Sequence, residues 1–277
     1  MQRTIIQAGK LRKHYWEDLW RFRTLFYFLA WRDVKVRYKQ TAIGIVWNVL
    51  RPLLTIAAFW FIGWMFSIPD QGVPRVLLVA AATLPWQFFS SAFTESSNSL
   101  IANSNLLTKV YFPRLIVPAS TVIVCLIDFL ISFAILIVLM IIYRFPPAPT
   151  LFLLPLFLLP ATITAMGIGI FISALNVKYR DFRFIVPFIV QFGLYISPVA
   201  FSSSDIFESK RIPEALKFLY SLNPMVGVID GFRWSILGDH IKIYPAGFIL
   251  SIVISILLLI AGIRYFRQME KSFADVI

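Results

Sequence analysis

Between residues 47 and 263 the chain carries one long apolar run after another, and this limits its fold more than any motif does. The runs are read at about 47–66, 76–93, 115–143, 151–175, 184–201 and 245–263. An α-helix rises about 1.5 Å per residue, so about 20 residues cover a hydrocarbon layer of about 30 Å. Strands of an outer-membrane barrel run only about 10 residues and alternate apolar with polar, which these runs do not. The expected fold is an all-α integral membrane protein with six transmembrane helices, and residues 1–277 read as a single transmembrane domain. Composition agrees: 14% of residues are charged, where a soluble domain carries about 25%.

The charge sits in particular places. The stretch WRDVKVRYKQTAIGIVWNVLRP, residues 31–52, holds Arg32, Lys35, Arg37, Lys39 and Arg51 against the single acid Asp33, and an apolar run follows at once. Upstream, 15–39 reads as one amphipathic helix on the membrane surface. Glu17, Arg21, Thr24, Arg32, Lys35 and Lys39 form its polar stripe, broken only by Phe28. Leu19, Phe22, Phe26, Leu29 and Val36 lie opposite, and Trp16, Trp20, Tyr27 and Trp31 suit the headgroup layer. A net charge of +12 would point to nucleic acid in a soluble protein. Here it is topogenic, and no nucleic-acid partner is expected. With six spans, one side of the membrane receives 19 of the 26 Lys and Arg residues and the other receives 7. The positive-inside rule then puts both termini in the cytoplasm. The opening residues are basic with no short apolar core behind them, so no cleaved leader is expected.

The largest segment between runs, about 202–244, carries its own helical pattern. Residues 213–222 are amphipathic. Asn223-Pro224 reads as a helix N-cap followed by proline in the first turn, and the next helix runs 225–237 to Gly238. Thirteen residues reach about 20 Å, too short to span. A re-entrant helix pair before the last span is expected, with a surface-lying hairpin as the alternative.

The chemistry of catalysis is thin. There is no G-x-x-x-x-G-K-[ST] loop for nucleotide phosphates, no H-E-x-x-H and no C-x-x-C. Cys125 is the only cysteine, and His14 and His240 fall on opposite sides. Neither a metal site nor a catalytic residue is expected. Asp128 is the one ionisable residue well inside a run, where a charge costs about 2.5–3.5 kcal/mol; a pairing role across helices is favoured over a proton site. Aromatics do recur at helical spacing: Trp60 and Trp64, then Trp86, Phe89 and Phe93, then Phe188, Phe192 and Tyr195. Two readings stand here, ordinary packing or a lining that stacks on sugar rings.

Several stretches together resemble one family. They are the 31–52 segment, LPWQFFSSAF, NSNLLTKVYFPRLIVP, NVKYRDFRF, YISPVAF, LNPMVGVIDGFRW and EKSFADVI, in collinear order from about residue 29. They resemble the membrane subunits of polysaccharide ABC exporters, the type-2 ABC permeases of O-antigen, capsule and teichoic-acid export. That resemblance implies a homodimer working with two copies of a separate ATP-binding subunit. ATP and Mg would be bound there, and this chain would hold no cofactor and be no enzyme. It implies that the 15–39 helix is an interface helix and that 94–114 is a cytoplasmic coupling region. The coupling residues would be Asn98, Leu100, Asn103, Asn105, Leu106 and Leu107, with Arg32 and Lys35 at the end of the interface helix, 32–41. The 205–238 segment would hold periplasmic gate helices carrying Leu219, Tyr220, Asn223, Pro224 and Met225. The first, second and fifth spans, with the aromatics named above, would line the conduit. The substrate class implied is an undecaprenyl-linked, O-antigen-like polysaccharide crossing the bacterial inner membrane, among membrane lipids. The alternative is a type-2 ABC permease for a small lipid or drug. A membrane-embedded transferase would need clustered acids or a histidine at the membrane face.

Overall fold

The computed structural model describes residues 15–39, 42–66, 72–270 and 273. His14, residues 40–41 at the end of the expected interface helix, the 67–71 loop and all of EKSFADVI except Glu270 and Phe273 lie outside them. Among the described residues the secondary structure is helical throughout, with no strand. Two short helices open the chain, α1 (Tyr15–Arg21) and α2 (Arg23–Lys39), followed by α3 (Ala42–Met65), α4 (Arg75–Ala102) and the six-residue α5 (Ser104–Lys109). The long helices α6 (Ile116–Ile142) and α7 (Leu154–Lys178) come next, then α8 (Phe182–Ile196). The short α9 (Ser203–Phe207), α10 (Glu214–Ser221) and α11 (Pro224–Leu237) precede the last long helix, α12 (Pro245–Met269). Among the described residues, four stretches are long and apolar enough to cross a membrane: α4, α6, Pro149–Lys178 and α12. Val49–Met65 within α3, and α8, are shorter apolar helices.

Several boundaries differ from the sequence reading: α8 ends at Ile196 and not at 201, α12 runs on to Met269 past 263, and two further differences have a local reason. The expected single helix over 15–39 is interrupted at Phe22, although its hydrogen-bond ladder continues through Phe22 N–H to Asp18 O and Phe26 N–H to Phe22 O. Its inner face is Leu19, Phe22, Phe26 and Leu29, as the pattern predicts, but Val36 is exposed. In α4 the helix does not stop where the apolar run does. It continues through the serine- and asparagine-rich stretch to Ala102. There Ser97, Asn98 and Ser99 turn back to bond the carbonyls of Phe93, Thr94 and Ser96, so the polar side chains are satisfied within the helix.

Two cores hold the bundle. The larger joins α3, α4, α6, α7 and α11. The smaller gathers Leu29, Leu100, Leu107, Phe112, Val177 and Phe266 among others, tying α2, α4, α5, α7 and α12 together at one end. Helices α7 and α12 cross at very close range. A Cβ on Gly167 would lie 2.6 Å from the Leu259 backbone N and 2.7 Å from the Leu258 carbonyl carbon. One turn away, Thr164 and Ser255 share a hydrogen bond of 2.7 Å across the same seam. In a bilayer, where apolar side chains gain nothing by leaving lipid, such small-residue crossings are what lets helices adhere.

The segment before α12 follows its residue order closely. Asn223 caps α11, its Oδ1 accepting from Met225 N–H at 3.0 Å, with Pro224 in the first turn. Gly238 ends the helix at φ +67°, a left-handed position that suits glycine. Helix α11 is buried along nearly its whole length against α4, α7 and α12, while α10 exposes Leu216, Phe218 and Leu219.

Candidate functional site

The polar groups concentrate at the α5 end of the bundle. Arg32 on α2 donates through Nη2 to Asn103 Oδ1 at 2.8 Å. Asn103 is the residue between α4 and α5, and its Nδ2 donates to Ser99 O at 2.9 Å. A break between two helices is thus fastened to a third. One turn along α2, Arg37 donates to Asp128 of α6 at 2.6 Å and to Glu95 of α4 at 2.8 Å, and Tyr38 hydroxyl bonds the same Asp128 carboxylate. Asp128 is therefore paired across helices, and the guanidinium that pairs it also meets α4. Between these ties lies a cleft of about 430 Å³ lined by Arg32, Asp33, Glu95, Asn98 and Asn103.

The other sequence-selected residues of this end separate by environment. Leu100 and Leu107 are buried in the smaller core. Leu106 is partly buried against it, and Asn105 on α5 is exposed. Lys35 is exposed, its ammonium 5.4 Å over the Trp31 ring. Glu95 was not singled out by sequence. It stands 58 residues from Arg37, and nothing local announces the contact.

The aromatics fall into two groups. Trp86, Phe89 and Phe93 form a continuous ladder, with ring centroids 5.3 and 6.0 Å apart, and all three are buried within the chain. The outer edge of the Trp86 indole presses on α8, where a Cβ on Gly193 would come within 2.7 Å of its Cη2. Trp60 and Trp64 of α3 and Phe188, Phe192 and Tyr195 of α8 are exposed. Phe188 and Phe192 stack on one another at 5.8 Å.

At the opposite end, Arg233 of α11 is buried and donates to three backbone carbonyls: Leu78 of α4 at 3.2 Å, Phe201 at 2.8 Å and Val199 at 3.0 Å. Tyr220 of α10 shares a hydrogen bond of 3.1 Å with Ser203, and Asn223 reaches Ser197 Oγ at 3.0 Å. Leu219 is exposed and Met225 is buried beneath. Sequence reasoning missed Arg233, although an arginine one turn beyond Asp230 in a short apolar helix was a signal available to it. No group of three His, Cys, Asp or Glu side chains suited to a metal occurs among the described residues.

These features define a class, a multi-pass all-helical membrane protein with a helix break tied to a surface helix at one end. The family model described as ABC-2 type transporter matches residues 24–237, and the chain belongs to that family of transport subunits. It is 29% identical over 253 residues to an O-antigen export system permease protein RfbA of Klebsiella pneumoniae, a match covering 89% of this chain and 92% of that protein. A second RfbA of the same organism is 28% identical over 256 residues. RfbA of Myxococcus xanthus is 26% identical over 262 residues, covering 94% of this chain and 98% of its own length.

Proposed function

We propose that this chain is the membrane-spanning subunit of an ATP-driven exporter that moves a lipid-linked polysaccharide of the O-antigen kind across the bacterial inner membrane. The observation that carries the reading is the match along nearly the full length of three permeases named for O-antigen export. Two copies of the chain act with two ATP-binding subunits, which hold the ATP and Mg. The six apolar helices, α3 and α8 included, each cross the bilayer, with both termini cytoplasmic. Helices α1 and α2 lie along the inner surface, and α10 and α11 dip in from the outer side as gate helices.

The α4–α5 break is the coupling site. Asn98, Asn103, Asn105 and Leu106 face the ATP-binding subunit, and Leu100 and Leu107 root the segment in the smaller core. The Arg32–Asn103 bond supports this, because it makes a surface helix and the break move together. Lys35 adds charge beside it. The conduit runs between the two copies. The exposed rings of Trp60, Trp64, Phe188, Phe192 and Tyr195 face it, and the buried Trp86, Phe89 and Phe93 stiffen the wall behind them. Leu219, Tyr220, Asn223, Pro224 and Met225 close its outer mouth. ATP drives movement only through contacts that differ between nucleotide states of the motor.

Depletion of the protein followed by fractionation of lipid-linked glycan tests the reading. Polymer held on the cytoplasmic side and lost from the surface is the expected result. Unchanged surface glycan, in a strain with no second exporter, overturns it in favour of a permease for a small lipid.

A further inference from the structure

Glu270 and Phe273 have no part in coupling, conduit or gate as described so far, yet both are built into the α5 end. Glu270 follows α12 directly, and its Oε1 accepts a hydrogen bond from the Arg114 backbone N–H at 3.0 Å. Arg114 lies in the link between α5 and α6. Phe273 is only 1% exposed. It meets Phe266 edge to face at 5.5 Å, and the Arg114 guanidinium lies 5.6 Å over its ring. From α12 the Arg267 guanidinium lies 4.7 Å over Tyr15, whose buried hydroxyl stands beside Glu270. One carboxylate and one ring therefore gather the start of α1, the α5–α6 link and the end of α12.

Burial pushes the Glu270 carboxyl above its ordinary value and the Arg114 guanidinium below its own. Desolvation there outweighs the attraction between the opposite charges. What the site holds is the path of the backbone at Arg114. Helix α5 has only six residues and cannot fix its own position, because a helix this short is marginal without tertiary support. Its entry is fastened by Arg32 on Asn103. Its exit is fastened only a few residues on, by Glu270 on Arg114 with Phe273 as the floor.

We propose that Glu270 and Phe273 are positioning residues for α5. They clamp its exit so that a push on α5 reaches α6 and α12 instead of being absorbed by a swinging link. The proposal rests on the reading of α5 as the contact with the ATP-binding subunit. Gln at 270 offers the same acceptor oxygen to Arg114 N–H, whereas Ala does not, so the two substitutions separate positioning from charge.

The test uses the complex of this chain with its ATP-binding subunit in proteoliposomes, with lipid-linked glycan extracted from the parent strain. Two quantities are read: glycan moved per ATP hydrolysed, and the cross-linking pattern of N105C, in a C125S background, onto cysteines introduced in the ATP-binding subunit. E270A and F273A are expected to keep hydrolysis within about twofold while moving at least about fivefold less glycan per ATP, the small end of ordinary coupling between sites. Their N105C cross-links should spread over more positions than in the parent, and E270Q should behave as the parent does. Should F273A fail to assemble, F273L keeps apolar volume but not the ring beneath Arg114, and it is expected to lose part of the coupling. Parental glycan-per-ATP ratios in E270A and in F273A or F273L overturn the clamp, as does an E270Q variant as defective as E270A. A parental complex in which N105C reaches no position on the ATP-binding subunit instead overturns the coupling reading beneath it.

Discussion

Replacing Gly167 with Ala tests the tightest seam in the bundle. The new Cβ would sit 2.6 Å from the Leu259 backbone N, 2.7 Å from the Leu258 carbonyl carbon and 2.8 Å from the Leu259 Cα. All three are backbone atoms, so no side chain can swing away. Ordinary contact needs about 3.4 Å or more, and α7 and α12 must part by roughly 0.5–1 Å, a gap that forfeits a quarter to a half of each atomic contact worth about 0.1–0.2 kcal/mol. About 40 contacts around the crossing, one buried leucine's worth, then lose about 2 kcal/mol, within the usual range for overpacking. Against this, Ala gains about 1 kcal/mol over Gly as a helix former. The net loss is about 1 kcal/mol, or roughly 2–4 °C in Tm. Gly247 is the control: the nearest atom to a Cβ there is Tyr244 Cβ at 3.8 Å, so G247A should melt no lower than the parent. Thermal unfolding of both variants in one detergent, followed by size-exclusion fluorescence, decides the matter. G167A melting at or above the parent would refute the argument that backbone contact holds this crossing.

A double-mutant cycle on R37Q and D128N should return a coupling of about 1–2 kcal/mol, within the range for paired neighbours and reduced because both groups are partly solvated; a value near zero would show that the pair does not bind. The Glu270 site also gives the protein a pH dependence. Its folded value lies above the ordinary carboxylate value, so the fold favours the protonated form. That contribution is fully present below the unfolded value and is lost as pH rises through the folded one. Melting temperature should therefore fall across that window in the parent and fall less in E270Q. Identical pH slopes for the two would mean that Glu270 is not buried as described.

What could be read from residue order was whatever neighbouring residues decide. Asn223-Pro224 and Gly238 bracket α11 because a cap needs only the next two N–H groups and a helix stop needs only a permissive φ. The Leu19, Phe22, Phe26 and Leu29 face followed from helical spacing alone. Spacing also put Trp86, Phe89 and Phe93 on one face of α4, but periodicity does not say what that face meets: all three are buried within the chain, Trp86 against its own α8. Asp128 was legible as a residue in need of a partner. Arg37 was not legible as that partner, because the two stand 91 residues apart. The Arg114–Glu270 bond spans 156 residues, and a backbone N–H leaves no mark in a sequence at all.

Arg233 bears on how the outer half of the chain can come apart. Its guanidinium occupies carbonyls of α4 and of the turn after α8 while its backbone belongs to α11. Freeing any one of these elements leaves a buried cation short of an acceptor, a penalty of about 1–3 kcal/mol or more. Their amides should therefore exchange with solvent as one cooperative unit rather than piece by piece. In mechanical terms α11, the start of α4 and the turn after α8 form one block with Arg233 as its rivet, and the block is expected to shift as a whole before any one of its pieces does.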